Sequence, residues 1–124
     1  MKKFLFPLLL ALCGCASMFE SSQTHTLSQK DSTVSVNVGD TIVIKLESNP
    51  TTGYQWTPVE YNYLVLKIKG RNFTPSSNLA GTGGISEISF EAVADGESDI
   101  KLAYMRPWEK KPANEANFEV TVTP

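Results

Sequence analysis

Short runs along the chain alternate apolar and polar side chains, and turn residues separate these runs. The apolar positions are Val34, Val36 and Val38; Ile42, Ile44 and Leu46; Ile88, Phe90 and Ala92; Ile100, Leu102 and Tyr104; and Phe118, Val120 and Val122. Successive side chains of a strand point to opposite faces, so a period of two indicates a strand with one buried face. The segment from Leu64 to Phe73 predicts a further, mixed strand with Leu64, Leu66 and Ile68 in phase.

Seven or eight such strands fit the chain, and no segment combines helix caps with a helical period of apolar residues. Glycine, proline, asparagine and aspartate lie between the runs, as in the turns at 39–40 and 94–96. The pattern therefore predicts an all-β chain folded as an antiparallel β-sandwich.

The N-terminal segment has the features of a secretory signal. A positively charged start at residues 1–3 precedes an apolar run at residues 4–12 that is too short to span a bilayer. The sequence Leu12-Cys13-Gly14-Cys15 follows, and it resembles the bacterial lipobox, in which a small residue precedes a cysteine that is lipidated and becomes the new N-terminus.

We therefore predict cleavage after Gly14 and lipidation of Cys15. A cut before Cys13 is disfavoured because Leu12 is large for that position. Plain secretion, with cleavage near residues 16–17, is the alternative. Lipid chains on Cys15 hold a protein at a membrane without a transmembrane helix.

Cleavage at Gly14 gives a signal peptide at 1–14, a tether at 15–23 and one domain at 24–124. The residue after Cys15 is alanine. An aspartate at that position usually retains a Gram-negative lipoprotein in the inner membrane. We therefore expect secretion across the inner membrane and anchoring in the bacterial envelope, at the outer membrane.

Removal of the signal peptide also changes the charge, because Lys2 and Lys3 leave with it. Nine basic and thirteen acidic residues remain, a net charge of about −4. This balance argues against a nucleic-acid partner, which requires a basic patch. Cys15 is then the one cysteine left, so packing and not a disulfide must stabilise the domain.

Three loops between predicted strands concentrate unusual residues. They are Asn49-Pro50-Thr51-Thr52-Gly53-Tyr54, the glycine-rich segment 78–84, and Met105-Arg106-Pro107-Trp108-Glu109. If consecutive strands run in alternate directions, the three loops meet at one end of the sandwich. An immunoglobulin-type scaffold presents its binding loops in this way.

Each loop also has an ordinary structural interpretation. Asn-Pro and Thr-Gly pairs are common turn chemistry, and Gly81-Thr82-Gly83-Gly84 is not a phosphate loop because no Gly-Lys-Ser/Thr and no helix follow it. Arg106 and Trp108 together suit a surface cation–π pair. Trp56 lies on a predicted strand and is expected in the core, whereas Trp108 is expected to be an exposed anchor of the type found in binding hot spots.

Together the three loops resemble those of the chagasin family, proteinaceous inhibitors of papain-like cysteine proteases. The family pattern is Asn-Pro-Thr-Thr-Gly-aromatic, then Gly-x-Gly-Gly, then Arg-Pro-Trp or Arg-Pro-Phe, and all three occur here in that order. The resemblance spans roughly residues 24–123. It implies an immunoglobulin-like sandwich and a reversible inhibitor that blocks the protease cleft with a three-loop wedge. It assigns protease contacts to Asn49, Pro50, Thr51, Thr52, Gly53, Tyr54, Gly81, Thr82, Gly83, Gly84, Arg106, Pro107 and Trp108.

The resemblance also implies a role for each loop. Thr51 and Thr52 lie over the protease's catalytic Cys–His pair, with Thr51 the nearer. The glycines of the second loop permit close approach of an extended backbone on one side of the cleft, because they lack a side chain. Trp108 and Arg106 pack against the opposite side.

Two other classes of function remain to be compared with inhibition. An enzyme is disfavoured, because His25 is the only histidine and no nucleophile, zinc-ligand cluster or cofactor motif is recognisable. We interpret His25 as a strand or surface residue. The second class is a non-inhibitory envelope module that uses the same loops on another partner, since a fold alone does not determine a function. The inhibitor hypothesis predicts a monomer whose partner is an endogenous or host protease.

Overall fold

The computed structural model describes residues 22–79 and 81–124. Its elements are β1 (Thr24–Leu27), β2 (Thr33–Asn37), β3 (Thr41–Ser48), a single turn of 3₁₀ helix (Pro50–Thr52), β4 (Gln55–Glu60), β5 (Leu66–Pro75), β6 (Gly84–Ala92), β7 (Gly96–Met105) and β8 (Asn114–Thr123). The predicted signal peptide, the predicted lipidation site Cys15 and most of the predicted tether lie outside the described residues. No helix in the described part of the chain is long and apolar enough to cross a membrane.

Two four-stranded sheets pack face to face. One sheet has the order β1-β3-β6-β5 and the other β2-β8-β7-β4. Neighbouring strands are antiparallel except for the β1–β3 and β2–β8 pairs, which are parallel. The predicted immunoglobulin-like sandwich is confirmed, with eight strands.

The strand directions divide the molecule into two ends. Within each sheet the antiparallel pairs β3–β6, β5–β6, β4–β7 and β7–β8 fix the relative strand directions. The short turns at 38–40 and 93–95 reverse the chain between the sheets, so consecutive strands alternate in direction. The connections after β3, β5 and β7 therefore lie at one end, which we call the loop end. The turns at 38–40, 61–65 and 93–95 lie at the opposite end, together with the start of β1, and we call this end the base.

The core contains the apolar positions that the alternation predicts. The residues with at most 1% of their surface exposed include Ile42, Ile44, Phe90, Ile100, Leu102, Phe118 and Val120. Trp56 is 4% exposed, as expected of a core residue, and its Nε1 donates to the Glu47 carbonyl at 3.0 Å. The prediction for this side chain is therefore confirmed.

The predicted strand at 64–73 is wrong at its start and in its phase. The strand begins at Leu66 and ends at Pro75. Leu64 is 81% exposed because it lies in a turn where its own N–H donates to Asn62 Oδ1, while Val65 is buried instead. Ile68 is also exposed, since β5 is an edge strand whose register shifts immediately after it. Val38 likewise lies in a turn and is exposed, not buried in phase with Val36.

A buried carboxylate organises the base. Asp40 is 1% exposed and accepts hydrogen bonds from the backbone N–H groups of Gln23 and Asn37, each at 3.0 Å, and lies 2.9 Å from His25 Nε2. Burial alone would raise the pKa of Asp40, but the hydrogen bonds outweigh it and hold the pKa below its usual 3.8. The sequence indicated only a Gly39-Asp40 turn here. His25, which was interpreted as a strand or surface residue, lies on β1.

Candidate functional site

The first loop, residues 49–54, is a capped turn. Asn49 Oδ1 accepts from Thr51 N at 3.3 Å and from Thr51 Oγ1 at 2.6 Å. The carbonyl of Asn49 accepts from Thr52 N at 3.1 Å and from Thr52 Oγ1 at 2.6 Å. Pro50 starts the helical turn, and Gly53 ends it with a φ of +89° while its N–H donates to the Pro50 carbonyl. Asn49 therefore fixes Thr51 through its side chain and Thr52 through its carbonyl.

These bonds determine what the first loop presents to solvent. Both threonines are exposed, yet both hydroxyl hydrogens are directed back into the loop. Their methyl groups and the remaining lone pairs of the hydroxyl oxygens are left for a partner, whereas both backbone N–H groups are already bonded to Asn49. The hydroxyls thus stiffen the loop, in the way that Ser and Thr side chains commonly bond to nearby backbone.

The second loop connects β5 to β6. Its neck is closed by Ser76, whose N–H and Oγ both donate to the Gly83 carbonyl, at 3.0 and 2.7 Å. Ser77 Oγ donates to Thr82 Oγ1 at 3.1 Å. Gly81 lies near the tip with a φ of +81° and has no other part of the protein within 4 Å of where a Cβ would be. The tip is therefore open backbone next to Leu79, which is 76% exposed.

At the other two glycines of this loop, Gly83 and Gly84, a side chain would collide with neighbouring backbone of the same protein. A Cβ on Gly83 would lie 2.9 Å from the Ser48 carbonyl oxygen, and one on Gly84 would lie 2.2 Å from the Thr74 carbonyl oxygen. Gly84 is the first residue of β6 and pairs with both Ser48 and Pro75. The missing side chains at 83 and 84 thus allow the chain's own strands to approach, whereas Gly81 leaves backbone accessible to a partner.

The third loop presents Trp108 on a tight turn. The Glu109 N–H donates to the Arg106 carbonyl at 3.1 Å, with Pro107 at the first corner position. Trp108 is 70% exposed, which confirms the prediction that this side chain is exposed. The Arg106 guanidinium carbon lies 4.4 Å from the Tyr54 ring centroid and 5.7 Å from that of Trp108. Arg106 therefore lies between the rings of the first and third loops.

Direct contacts join the three loops into one surface. Asn49 Nδ2 donates to the Gly81 carbonyl at 3.2 Å, which links the first loop to the second. Arg106 Nε donates to the Thr52 carbonyl at 3.1 Å, which links the third loop to the first. Gly53 lies against Trp108, so close that a Cβ there would be 3.0 Å from its ring. The structure thus brings the three predicted segments together.

A column of aromatic rings continues from this surface into the core. Tyr104 lies between Trp56 and Tyr54: its ring stacks on Tyr54 with centroids 5.1 Å apart and is tilted against Trp56 with centroids 5.0 Å apart. Its hydroxyl accepts from Asn49 N at 2.9 Å. Tyr104 was absent from the candidate site residues. Its position as the last inward residue of the β7 alternation is the signal that places it beneath the loops.

The described residues contain no group of three His, Cys, Asp or Glu side chains arranged to hold a metal. The one histidine is bonded to Asp40 at the base, at the end of the sandwich opposite the three loops. The loop end instead combines a rigid turn, open backbone and an exposed aromatic, which are features of a recognition surface.

A family model described as the chagasin family peptidase inhibitor I42 matches residues 35–122 of the chain. The chain belongs to the chagasin family. Members of this family are peptidase inhibitors and not enzymes, which confirms the family and the non-enzymatic class indicated by the sequence.

Relatives of the chain match it over most of their length. Chagasin from Trypanosoma cruzi is 33% identical over 104 residues, covering 80% of this chain and 94% of the relative. Amoebiasin-2 from Entamoeba histolytica is 31% identical over an alignment of 127 positions, which covers 98% of this chain and 99% of the relative.

The solved structures agree with this assignment. The cysteine protease inhibitor EhICP2 from Entamoeba histolytica has a TM-score of 0.72 at 30% identity and covers 82% of this chain and 97% of that one. PbICP-C, solved in complex with falcipain-2, shows the same fold with a TM-score of 0.56 at 22% identity. The match covers 82% of this chain and 92% of that one.

Proposed function

We propose that the protein is a reversible, tight-binding inhibitor of papain-like cysteine proteases that fills the active-site cleft with its three loops. One observation carries this proposal: the three segments that bear the chagasin motifs lie at one end of the sandwich and are hydrogen-bonded to one another. The solved cysteine protease inhibitor EhICP2, at 30% identity, supports the class of target.

The first loop is suited to the centre of the cleft. Its turn is fixed by Pro50, by the cap from Asn49 and by two threonine hydroxyls. A loop held in this way loses little conformational entropy on binding, so more of its contact energy appears as affinity. The loop is also a turn and not an extended strand, so it does not offer a peptide bond to the catalytic cysteine. Inhibition is then competitive and forms no covalent bond.

The second and third loops would grip the two sides of the cleft. The backbone around Gly81 can pair with an extended segment, because no other group occupies the space beside its Cα and its carbonyl keeps one lone pair beyond the bond from Asn49 Nδ2. Trp108 offers a large, exposed aromatic surface beside Arg106, and these are the residue types that contribute most at interfaces. The Tyr54 ring packs against the Arg106 guanidinium and so fixes the third loop relative to the first.

Titration of the chain from Ala16 to Pro124 against papain and a cathepsin L-type protease tests the proposal. A fluorogenic substrate reports activity, and a serine protease serves as the control. We expect stoichiometric loss of activity in the cysteine proteases alone and full recovery on dilution. Absence of inhibition by folded protein would instead favour an envelope module that uses the same loops on another partner.

We further propose that Cys15 is lipidated and holds the inhibitor in the bacterial envelope, at the outer membrane. The proposal rests on the lipobox-like Leu12-Cys13-Gly14-Cys15 and on alanine at position 16. Expression of the full chain in a bacterium fed an alkyne-labelled fatty acid tests it, with Cys15→Ser as the control. Label on the native chain and none on the variant would support lipidation, whereas an unlabelled, secreted native chain would contradict it.

A further inference from the structure

We propose that the base of the sandwich is a lipid-docking surface, so that the anchored protein stands on the membrane with its three loops directed away from it. This inference rests on the lipid anchor proposed above. It concerns Val38, Tyr63, Leu64 and Val93, which we call the base patch.

The base patch is a concentration of apolar side chains outside the core. Tyr63 is 74% exposed, Leu64 81%, and Val38 and Val93 42% each. They lie on adjacent turns, since Gly39 N donates to the Ala92 carbonyl and Val93 N donates to the Val65 carbonyl, both at 2.8 Å. Exposed apolar residues gathered on adjacent turns in this way commonly mark an interaction surface.

The three turns of the base carry few charges themselves, and the exposed Glu60 and Glu97 lie beside them. The three turns at 38–40, 61–65 and 93–95 contain two charged residues, Asp40 and Asp95. Asp40 is buried and hydrogen-bonded, so Asp95 is the one exposed charge among them. Tyr63 packs edge-on against Tyr61 with ring centroids 4.6 Å apart and leaves its other side free. Tyrosine is a residue that favours the boundary between hydrocarbon and water.

The chain enters the fold at this same end. Gln23 N donates to Asp40 Oδ1, and Thr41 N donates to the Gln23 carbonyl, so the start of β1 is fixed beside the turn at 38–40. Six residues separate Cys15 from Ser22. An extended chain reaches at most about 3.6 Å per residue, so an anchor at Cys15 keeps the base within about 25 Å of the bilayer.

A tether of this length makes a small patch sufficient. A short linker holds the second contact at an effective concentration of about millimolar or more. A few apolar side chains that enter the headgroup region then fix the orientation of the domain on the membrane. Without the anchor they would not bind the protein to the membrane. The loop end lies at the other end of strands such as β3, whose eight residues span about 27 Å. Docking at the base thus leaves the inhibitory loops clear of the bilayer.

Tryptophan fluorescence tests the orientation on the processed chain that begins at Cys15, which retains all eight strands. Cys15 is coupled chemically to a maleimide phospholipid in phosphatidylcholine vesicles that contain a brominated phosphatidylcholine as quencher. In the native chain, quenching of Trp108 fluorescence reports on the loop end. The buried Trp56 contributes a constant background to the fluorescence. A Tyr63→Trp reporter in a Trp108→Phe chain reports on the base.

We expect quenching by the bromolipid to be at least about threefold stronger for the Tyr63→Trp reporter than for Trp108. Addition of Leu64→Ser and Val93→Ser to the reporter should reduce its quenching to the level of Trp108. Equal, weak quenching at both positions would mean that the domain moves freely on its tether and would overturn the proposal, as would stronger quenching of Trp108. Because the coupling is chemical, failure of natural lipidation at Cys15 leaves this test unaffected, and inhibition of papain by each variant is measured separately.

Discussion

At the scale of single residues, Gly53 shows how the loop end depends on one backbone conformation. Its φ of +89° is unfavourable for a residue with a side chain, and a Cβ would lie 3.0 Å from the Trp108 ring and 3.6 Å from Arg106 Cγ. We expect Gly53→Ala to lower the free energy of unfolding by about 1–2 kcal/mol. We also expect it to weaken inhibition by more than this loss of stability accounts for, because the Trp108 ring must move to make room for the Cβ. Urea denaturation and papain titration measure the two effects.

Gly70→Ala is the matched control for this prediction. Gly70 lies in β5, has no positive φ, and has no atom within 4 Å of where a Cβ would be. Its replacement should leave inhibition unchanged and alter stability by less than about 0.5 kcal/mol. Equal effects of the two substitutions on inhibition would show that the shape of the first loop is not important for binding.

Trp108 supports a second prediction at this scale. The side chain is 70% exposed, so Trp108→Ala should change the free energy of unfolding little. If Trp108 is a binding anchor, its loss should weaken inhibition by about 2 kcal/mol or more, roughly thirtyfold. Tyr63→Ala removes an aromatic that is 74% exposed at the base and should leave inhibition of papain intact. The site assignment fails if the Trp108 variant inhibits as well as the native chain.

At the scale of elements, Arg106 joins two loops through geometry as well as charge. Its Nε donates to the Thr52 carbonyl at 3.1 Å while its guanidinium lies over the Tyr54 ring. Lysine keeps the charge but has no planar group to stack and no equivalent of Nε. We expect Arg106→Lys to weaken inhibition about tenfold. Lys67→Arg, at an exposed position near the base end of β5, is the control that changes nothing. A full-strength Arg106→Lys inhibitor would show that charge alone is sufficient at this position.

The link between β1 and the turn at 38–40 makes stability depend on pH. Asp40 has a lowered pKa in the folded protein, so its stabilisation is present above its ordinary value of 3.8 and is lost as the pH falls through the folded value. Asp40→Asn should therefore cost about 1–3 kcal/mol near neutral pH, and the difference from the native chain should shrink by about pH 2. Urea denaturation at both pH values measures it.

Asp95→Asn provides the control for that pH series, because Asp95 is an exposed turn residue at the same end of the molecule. Its stability should follow that of the native chain at both pH values. A difference between Asp40→Asn and the native chain that stays constant down to about pH 2 would contradict a role for the ionised carboxylate.

The alternation of side chains was enough to predict most strands, because each strand has one face in the core and one in solvent. It did not indicate that β1 pairs with β3 and β2 with β8 in parallel, since periodicity describes the faces of a strand and not its neighbours. It also failed at Leu64, where asparagine chemistry at Asn62 makes a turn in an apolar run. Asp40 was taken for a turn residue because Gly-Asp is ordinary turn chemistry.

The candidate site was located by its motifs, but its internal contacts were not. Nothing in Asn-Pro-Thr-Thr-Gly indicates that the threonine hydroxyls bond back to Asn49. Nor does a run of glycines separate Gly81, which is open to a partner, from Gly84, which makes room for the Thr74 carbonyl. These distinctions depend on which segments the fold brings together from distant parts of the chain.

At the scale of the whole molecule, the two ends carry separate exposed apolar surfaces. The loop end carries Leu79 and Trp108, and the base carries the four residues of the base patch, so six of the eight large apolar residues that are exposed in the described part of the chain lie at the two ends. The β-sandwich between them keeps these surfaces about one strand length apart. A protein anchored through its N-terminus can then bind a protease in solution while it remains attached.

This separation gives a prediction in which only the point of attachment changes. When Cys15 is coupled to a vesicle, the inhibition constant for papain should stay within about threefold of that of the uncoupled chain, because the loops face solution. In a Cys15→Ser, Leu79→Cys chain, the coupling lies at the exposed tip of the second loop, and attachment should weaken inhibition more than about tenfold. The same variant without lipid measures the effect of the substitution itself. If coupling at Cys15 abolished inhibition as strongly as coupling at position 79, the loops would not face away from the membrane.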